Sequence, residues 1–160
     1  MTARGSRSLL LTPPKRFDQK HLMKEPCRLV CKDTWGRLSD LARFDLASAG
    51  QAIAFGLATV AAFHLMRCVE EMLRNYYRGI VKRKRVKRLL WHDMIQHLRE
   101  RKDAPPRAVL DHLDNIRSNH RNPTQHPEAR FELEEAQDLL AVSIDALNRM
   151  ARDLTERENA

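Results

Sequence analysis

Residues 46–66 form a stretch of 21 residues without a formal charge, which is long enough to span a lipid bilayer. Seven of these residues are alanine, and polar residues and glycine dilute the remainder, so that transfer of the segment into lipid is poorly favoured. Gly56 lies near the middle, where glycine is typical of a break between two helices. The segment therefore predicts a buried pair of helices rather than a membrane span, and we expect a cytoplasmic protein without a membrane partner.

Apolar residues recur at helical spacing through most of the chain. The periodic segments cover residues 38–55, 57–80, 91–98, 106–122 and 131–154. Glycine is sparse and alanine, leucine, arginine and glutamate dominate, which favours helices over strands. We predict an all-α fold, a four- to five-helix up-and-down bundle over residues 35–160. Residues 1–34 have three prolines and little periodicity, and are predicted to form an extended arm with a short strand at 29–31.

The three cysteines, Cys27, Cys31 and Cys68, are odd in number and lack CxxC spacing. This usage indicates reduced thiols rather than a disulfide framework. His21 lies near the first two cysteines, but a fourth ligand for a zinc site does not follow. We therefore expect neither a metal nor another cofactor.

Positive charge is concentrated in the first three quarters of the chain. Residues 1–121 hold 25 Lys and Arg against 12 Asp and Glu, whereas residues 122–160 hold 4 against 9. The densest part is the basic run, six cations within seven positions: Lys82, Arg83, Lys84, Arg85, Lys87 and Arg88. Such a run suits the phosphate backbone of RNA, because bound cations release counterions, but a solvated face or a contact with an acidic partner explains it equally well.

The sequence RNPTQH at residues 121–126 places a cation and an imidazole where a helix is predicted to stop. Pro123 has no N–H and disfavours helical geometry at Asn122, so the helix is predicted to end within residues 121–126, and Pro127 also restricts the turn that carries His126. Arg121 presents a permanently charged fork to a phosphate, and histidine transfers protons near neutral pH. The pair suits metal-independent RNA cleavage, although both residue types also stabilise helix C-termini by charge alone.

These residues and their context resemble the HEPN domain family, helical domains whose hallmark is an arginine, a polar residue and then a histidine after four to six intervening positions. Arg121, Asn122 and His126 fit this pattern. Residues 61–77 resemble the glutamate-bearing helix of prokaryotic members, and residues 113–127 lead into an amphipathic last helix in the same order. The similarity covers about residues 38–155.

The resemblance implies a metal-independent endoribonuclease of a toxin or anti-phage defence type, with a composite active site at a homodimer interface. His126 is then expected to take the proton from a ribose 2′-hydroxyl while a second group protonates the leaving 5′-oxygen. Arg121 is expected to stabilise charge on the phosphate, and Asn122 to hold a phosphate oxygen or orient the histidine. Arg117 and His120 are expected either to bind a flanking phosphate or only to solvate and pack.

Partners and activity are not fixed by this resemblance. Some HEPN toxins carry a tyrosine two positions after the histidine, which their antitoxin modifies, but Glu128 stands at that position here. An antitoxin and a partner protein from a defence complex are therefore both still alternatives. Control by modification of a tyrosine at that position is not supported. The alternative is a catalytically inactive HEPN-like adaptor or nucleic-acid-binding subunit of a larger complex, in which the basic run docks the partner and residues 121–126 only cap a helix.

Overall fold

The computed structural model describes residues 16–124, residue 126 and residues 128–160. Within these residues the secondary structure is entirely helical, which confirms the all-α prediction. The helices are α1 (Gln19–Met23), α2 (Lys32–Arg37), α3 (Asp40–Ala54), α4 (Ala58–Ile80), α5 (Trp91–Arg99), α6 (Arg107–Ile116), the single turn α7 (Asn122–Thr124) and α8 (Leu133–Glu158). A 3₁₀ turn, Pro26–Arg28, follows α1, and a π turn, Arg117–Arg121, joins α6 to α7.

The extended arm predicted for residues 1–34 is wrong where the structure describes it, from residue 16 onward. Here α1, the 3₁₀ turn and the start of α2 replace extended chain, and α2 runs across the predicted boundary after residue 34. Asp18 caps α1 by accepting a hydrogen bond from the backbone N–H of Lys20 (2.7 Å), and Leu22 is buried against α3. The predicted strand at 29–31 is absent from this described segment. A five-residue helix is too short to show a repeating apolar period, so the sequence pattern missed it.

The uncharged stretch of residues 46–66 lies in the helical hairpin formed by α3 and α4, as predicted. Gly56, at the turn, has φ of 72°, a left-handed conformation that glycine adopts without steric cost. Helix α4 then packs against both α3 and α8, so it is the central helix of the bundle. In the part of the chain that the structure describes, no helix combines the length and apolarity needed to cross a membrane.

Two buried carboxylates tie α4 to its neighbours. Asp45 on α3 is fully buried, with Oδ1 at 2.8 Å from His64 Nδ1 and Oδ2 at 3.4 Å from Arg67 Nε. On the α8 side, the hydroxyl of Tyr76 donates to Asp153 (2.7 Å). Burial raises the pKa of Tyr76, so that its hydroxyl stays a donor. Since a buried carboxylate is costly without partners, these pairs select one rotation of α4 relative to both helices.

Gly50 provides a test of how α1 is seated on α3. A Cβ at Gly50 would lie 2.7 Å from the backbone carbonyl oxygen of Leu22, so α1 would have to move. We expect Gly50→Ala to lower the free energy of unfolding by about 1–2 kcal/mol, because overpacking outweighs the better helix propensity of alanine. The measurement is urea denaturation followed by circular dichroism.

Gly36→Ala is the matched control, because nothing lies within 4 Å of a Cβ built at Gly36 in α2. This variant is expected to raise the free energy of unfolding by up to about 1 kcal/mol. Equal gains at both positions would contradict the close packing of α1 on α3.

Candidate active site

The RNPTQH sequence lies where α6 gives way to a wider helical turn. In the π turn, the N–H of Asn122 donates to the carbonyl of Arg117, five residues back. The helix ends within residues 121–126, as predicted, although α7 continues through Pro123 and ends only at Thr124. A proline breaks the regular bonding to the fourth residue back, and the π turn that precedes Pro123 already departs from that pattern. Such turns are rare and occur frequently at functional sites.

Arg121 is directed towards α4. Its Nη2 lies 3.5 Å from Glu70 Oε2, and its side chain is 20% exposed. The same glutamate receives a hydrogen bond of 2.8 Å from Arg74, one turn further along α4. Glu70 therefore positions the guanidinium of Arg121, and an incoming phosphate has to compete with this carboxylate for its donors.

His126 is exposed on the turn that follows α7. Its backbone N–H donates to the carbonyl of Pro123 (3.0 Å), and its backbone carbonyl accepts from the N–H of Ala129 (3.0 Å). Asn122 is exposed as well. Gln125 and Pro127 lie outside the described residues, and with them the second proline predicted to restrict this turn. The imidazole is thus carried by a hydrogen-bonded turn and is open to a ligand.

A cavity of about 500 Å³, called the imidazole cavity below, separates this turn from the first part of α8. It contains two imidazoles from the one chain, His120 and His126. Its other charged or aromatic lining residues are Glu128, Arg130, Phe131, Glu135 and Asp138. Among the described residues that line it, Arg121 does not appear. The structure therefore brings His126 together with His120, whereas Arg121 faces Glu70 on the neighbouring helix.

His120 is the more sheltered of these two imidazoles. Burial lowers the pKa of His120, and the nearby charge of Asp138 opposes this effect in part. The carbonyl of His120 accepts a hydrogen bond of 2.5 Å from the Thr124 hydroxyl, which ties the π turn to α7. At neutral pH this imidazole is therefore uncharged and available to accept a proton.

Arg117 begins the π turn and is held on the surface of α6. Its Nε donates to Asp114 (2.9 Å), its Nη2 donates to the Ser118 hydroxyl (3.3 Å), and the side chain is 22% exposed. It is not among the described residues that line the imidazole cavity. For Arg117 and His120, either phosphate binding or packing was expected from the sequence. Of these two residues, only His120 lines that cavity.

The basic run occupies the loop between α4 and α5. All six of its cations, Lys82, Arg83, Lys84, Arg85, Lys87 and Arg88, are exposed. Arg85 turns back to donate to the carbonyls of Val81 (2.7 Å) and Arg78 (3.4 Å), at the C-terminal end of α4 where a cation is favourable. Helix α4 ends ten residues after Glu70, so the loop begins about 15 Å from Glu70 along the helix axis. An extended polyanion is required to contact both places at once.

An apolar patch, formed by Leu41 and Phe44 on α3 and Val60 and Phe63 on α4, is open to solvent. Phe44 is 60% exposed and packs edge-on against the ring of His64. Val60 and Phe63 lie within residues 46–66, which were predicted to form a buried pair of helices, so the patch was not foreseen. The signal was present, because α4 has apolar residues around more of its circumference than one buried face requires. Large side chains exposed together mark a surface for interaction.

No group of three His, Cys, Asp or Glu side chains within the described ranges is arranged to hold a metal ion. Cys27 and Cys31 are exposed, and burial raises the pKa of Cys68, which keeps that thiol protonated. No family model, curated protein or solved structure matches the chain.

Titration of His120 tests the electrostatics of the imidazole cavity. We expect NMR to place the pKa of His120 below its ordinary value of about 6.5, because burial disfavours the imidazolium. Asp138→Asn is expected to lower this pKa further, since the carboxylate favours the protonated ring. A pKa above 6.5, or one unaffected by Asp138→Asn, would contradict this environment.

The same shift predicts a dependence of stability on pH. The unfolded chain binds the proton of His120 more tightly than the folded protein does. The contribution of the neutral ring is therefore fully present above the unfolded pKa of about 6.5 and is lost as pH falls through the window below it. His120→Gln should lose less stability than the wild type across that window in urea denaturation.

Proposed function

We propose that this protein is a metal-independent endoribonuclease that cleaves RNA by attack of a ribose 2′-hydroxyl on the adjacent phosphate. The observation that carries the proposal is that one helix end presents both an exposed imidazole, His126, at a sizeable cavity and a guanidinium, Arg121, which Glu70 orients towards α4. One residue type transfers protons and the other stabilises phosphate charge. The resemblance of residues 121–126 to the HEPN pattern gives the reaction class.

In this reaction the 2′-oxygen forms a bond to phosphorus while the bond from phosphorus to the 5′-oxygen breaks. His126 is one of the two groups that move protons, Arg121 stabilises negative charge on the phosphate oxygens, and Asn122 supplies an exposed amide beside them. The products are a 2′,3′-cyclic phosphate and a 5′-hydroxyl. No step requires a metal.

The RNA in this proposal is attracted by charge before it is bound at the site. The basic run exposes six cations on one loop, and the chain has a net charge of +8. Such a surface raises the rate of encounter with a polyanion and releases counterions when the phosphates bind. An RNA strand that extends from the basic run towards Glu70 passes along α4, the helix whose Glu70 contacts Arg121.

A homodimer in this proposal is supported by the position of the apolar patch. Leu41 lines a recess that also contains Arg67, Glu70 and Glu71, so the patch is continuous with the carboxylate that holds Arg121. In a symmetric dimer the same surface of each copy meets its equivalent. A twofold axis at the patch would bring the Arg121–Glu70 pair of each copy towards the surface of the other copy, so that each copy can contribute its guanidinium to a composite site.

Cleavage in EDTA tests the chemistry. Wild-type protein incubated with total RNA is expected to produce fragments that end in 2′,3′-cyclic phosphate. His126→Ala and Arg121→Ala are each expected to reduce the rate by about 10²- to 10⁴-fold, because each removes a group that acts on the reacting phosphate. Gel electrophoresis with end-group analysis measures both quantities.

His92→Ala is the control for this experiment, since His92 is an exposed histidine of α5 outside the imidazole cavity. It is expected to cleave at the wild-type rate. Equal cleavage by the wild type, His126→Ala and Arg121→Ala would reveal a contaminating nuclease and would refute the proposal.

Light scattering tests the dimer. Phe63→Glu is expected to convert a dimer to a monomer and to reduce RNA cleavage with it, because a charge in the centre of an apolar interface is left without a partner. Leu90→Glu is the matched control, since Leu90 has an exposure similar to that of Phe63, 48% against 46%, and lies outside the patch. A wild type that is monomeric at all concentrations yet cleaves RNA would exclude the composite site.

The second candidate function is a helical adaptor or nucleic-acid-binding subunit, and one contact favours it. Arg121 is 20% exposed and contacts Glu70, so it already has a structural role in joining the helix end to α4. In that case the basic run provides the binding surface and the imidazoles are part of the fold. Binding of single-stranded RNA without any cleavage, unchanged in His126→Ala, is the outcome that supports this candidate. A toxin or anti-phage role with a partner protein belongs to the ribonuclease proposal.

A further inference from the structure

Two imidazoles of the same chain line one cavity beside the proposed site of cleavage. His120 comes from the π turn and His126 from the turn after α7, so the single turn of α7 separates them along the chain. The Thr124 hydroxyl donates to the carbonyl of His120, and the backbone N–H of His126 donates to the carbonyl of Pro123, so that both imidazole-bearing segments are tied to α7. A 2′-hydroxyl attack needs two proton transfers, one from the nucleophile and one to the leaving group.

We propose that His120 is a catalytic residue of the ribonuclease, the general base that takes the 2′-hydroxyl proton, and that His126 of the same chain is the general acid. This inference rests on the proposed ribonuclease function. It changes the expected role of His126 from base to acid and assigns the second proton-transfer group to the same chain. Arg121 does not line this cavity, so in this inference its guanidinium reaches the phosphate from the second copy of the homodimer.

The surroundings of His120 favour the uncharged ring that a base requires. Burial lowers the pKa of His120, whereas His126 is exposed. The charged groups that face the cavity are Glu135 and Asp138 on α8, and Glu128 and Arg130 on the connection before it. Asp138 is exposed and forms an ion pair with Arg16 (2.5 Å), so Arg16 partly compensates the electrostatic effect of the Asp138 charge on His120.

The reaction then balances within one cavity. Neutral His120 accepts the proton of the 2′-hydroxyl as the bond from the 2′-oxygen to phosphorus forms. Protonated His126 donates its proton to the 5′-oxygen as the bond from phosphorus to that oxygen breaks. The products are the cyclic phosphate and the 5′-hydroxyl, with His120 protonated and His126 neutral. Exchange of one proton at each ring with water restores the starting state.

A substrate with sulfur in place of the bridging 5′-oxygen separates base from acid, because a thiolate leaves without being protonated. The wild type, His120→Gln and His126→Gln are compared on a short RNA with a single oxygen or sulfur bridge. His126→Gln is expected to cleave the oxygen substrate at least about 10²-fold more slowly than the wild type and to recover most of its rate on the sulfur substrate. His120→Gln is expected to lose at least about 10²-fold on both substrates.

The dependence of cleavage on pH gives a second readout that does not require replacing either imidazole. The rate is expected to fall at acid pH as His120 becomes protonated. Asp138→Asn is expected to move this acid limb to lower pH, because Asp138 favours the protonated ring. Asp138 is largely exposed, so this variant retains the fold even if His120→Gln does not.

The outcomes distinguish this inference from the proposed function. Cleavage of the oxygen substrate by His120→Gln at the wild-type rate, with circular dichroism unchanged, overturns the assignment while the ribonuclease stands. Recovery of His120→Gln on the sulfur substrate, or an acid limb unmoved in Asp138→Asn, also overturns it. A wild type that cleaves neither substrate in its dimeric form overturns both the inference and the proposed function.

Discussion

Helix α4 is covered on two sides, by α3 and by α8, and the buried carboxylates at those contacts determine which of its residues face outward. Asp45 pairs with His64 and Arg67 on one side, and Asp153 accepts from Tyr76 on the other. A rotation of α4 would bury one of these charges without its partners, which costs more than the loss of a few apolar contacts. The outward face that results contains the exposed apolar side chains and Glu70, so the core of the fold also positions the candidate site.

Glu70 joins this core to the proposed chemistry. It holds the guanidinium of Arg121 close to α4, while the imidazoles of His120 and His126 open on the cavity beside α8. The guanidinium of Arg121 and the imidazoles of His120 and His126 therefore point in different directions from the same helix end. In a monomer the guanidinium of Arg121 and the two imidazoles lie on two different surfaces. In the proposed function this is a physical reason for a second copy to complete the site. The basic run lies on the loop that follows α4, and in the proposed function it serves encounter with RNA rather than cleavage.

Long periodic segments made the larger part of the fold predictable. Helices α3, α4, α5 and α8 lie close to their expected limits, because each repeats its apolar positions over several turns. Gly56 marked the break between α3 and α4 because it adopts a left-handed conformation there. Residues 16–34 were mispredicted as extended, since their helices are held by a cap and by packing on α3 and α8 rather than by a period of their own.

At the site, the residue types were visible in the sequence, but their grouping was not. An arginine, a histidine and the prolines beside them indicated phosphate chemistry at a helix end, because side-chain chemistry and the restrictions of proline are local properties. The π turn that carries the helix through Pro123, the Arg121–Glu70 contact and the shared cavity of His120 and His126 depend on contacts with α4 and α8. Spacing along the chain cannot determine which side chains meet across helices. Only the packing of α4 between its two neighbours decided that.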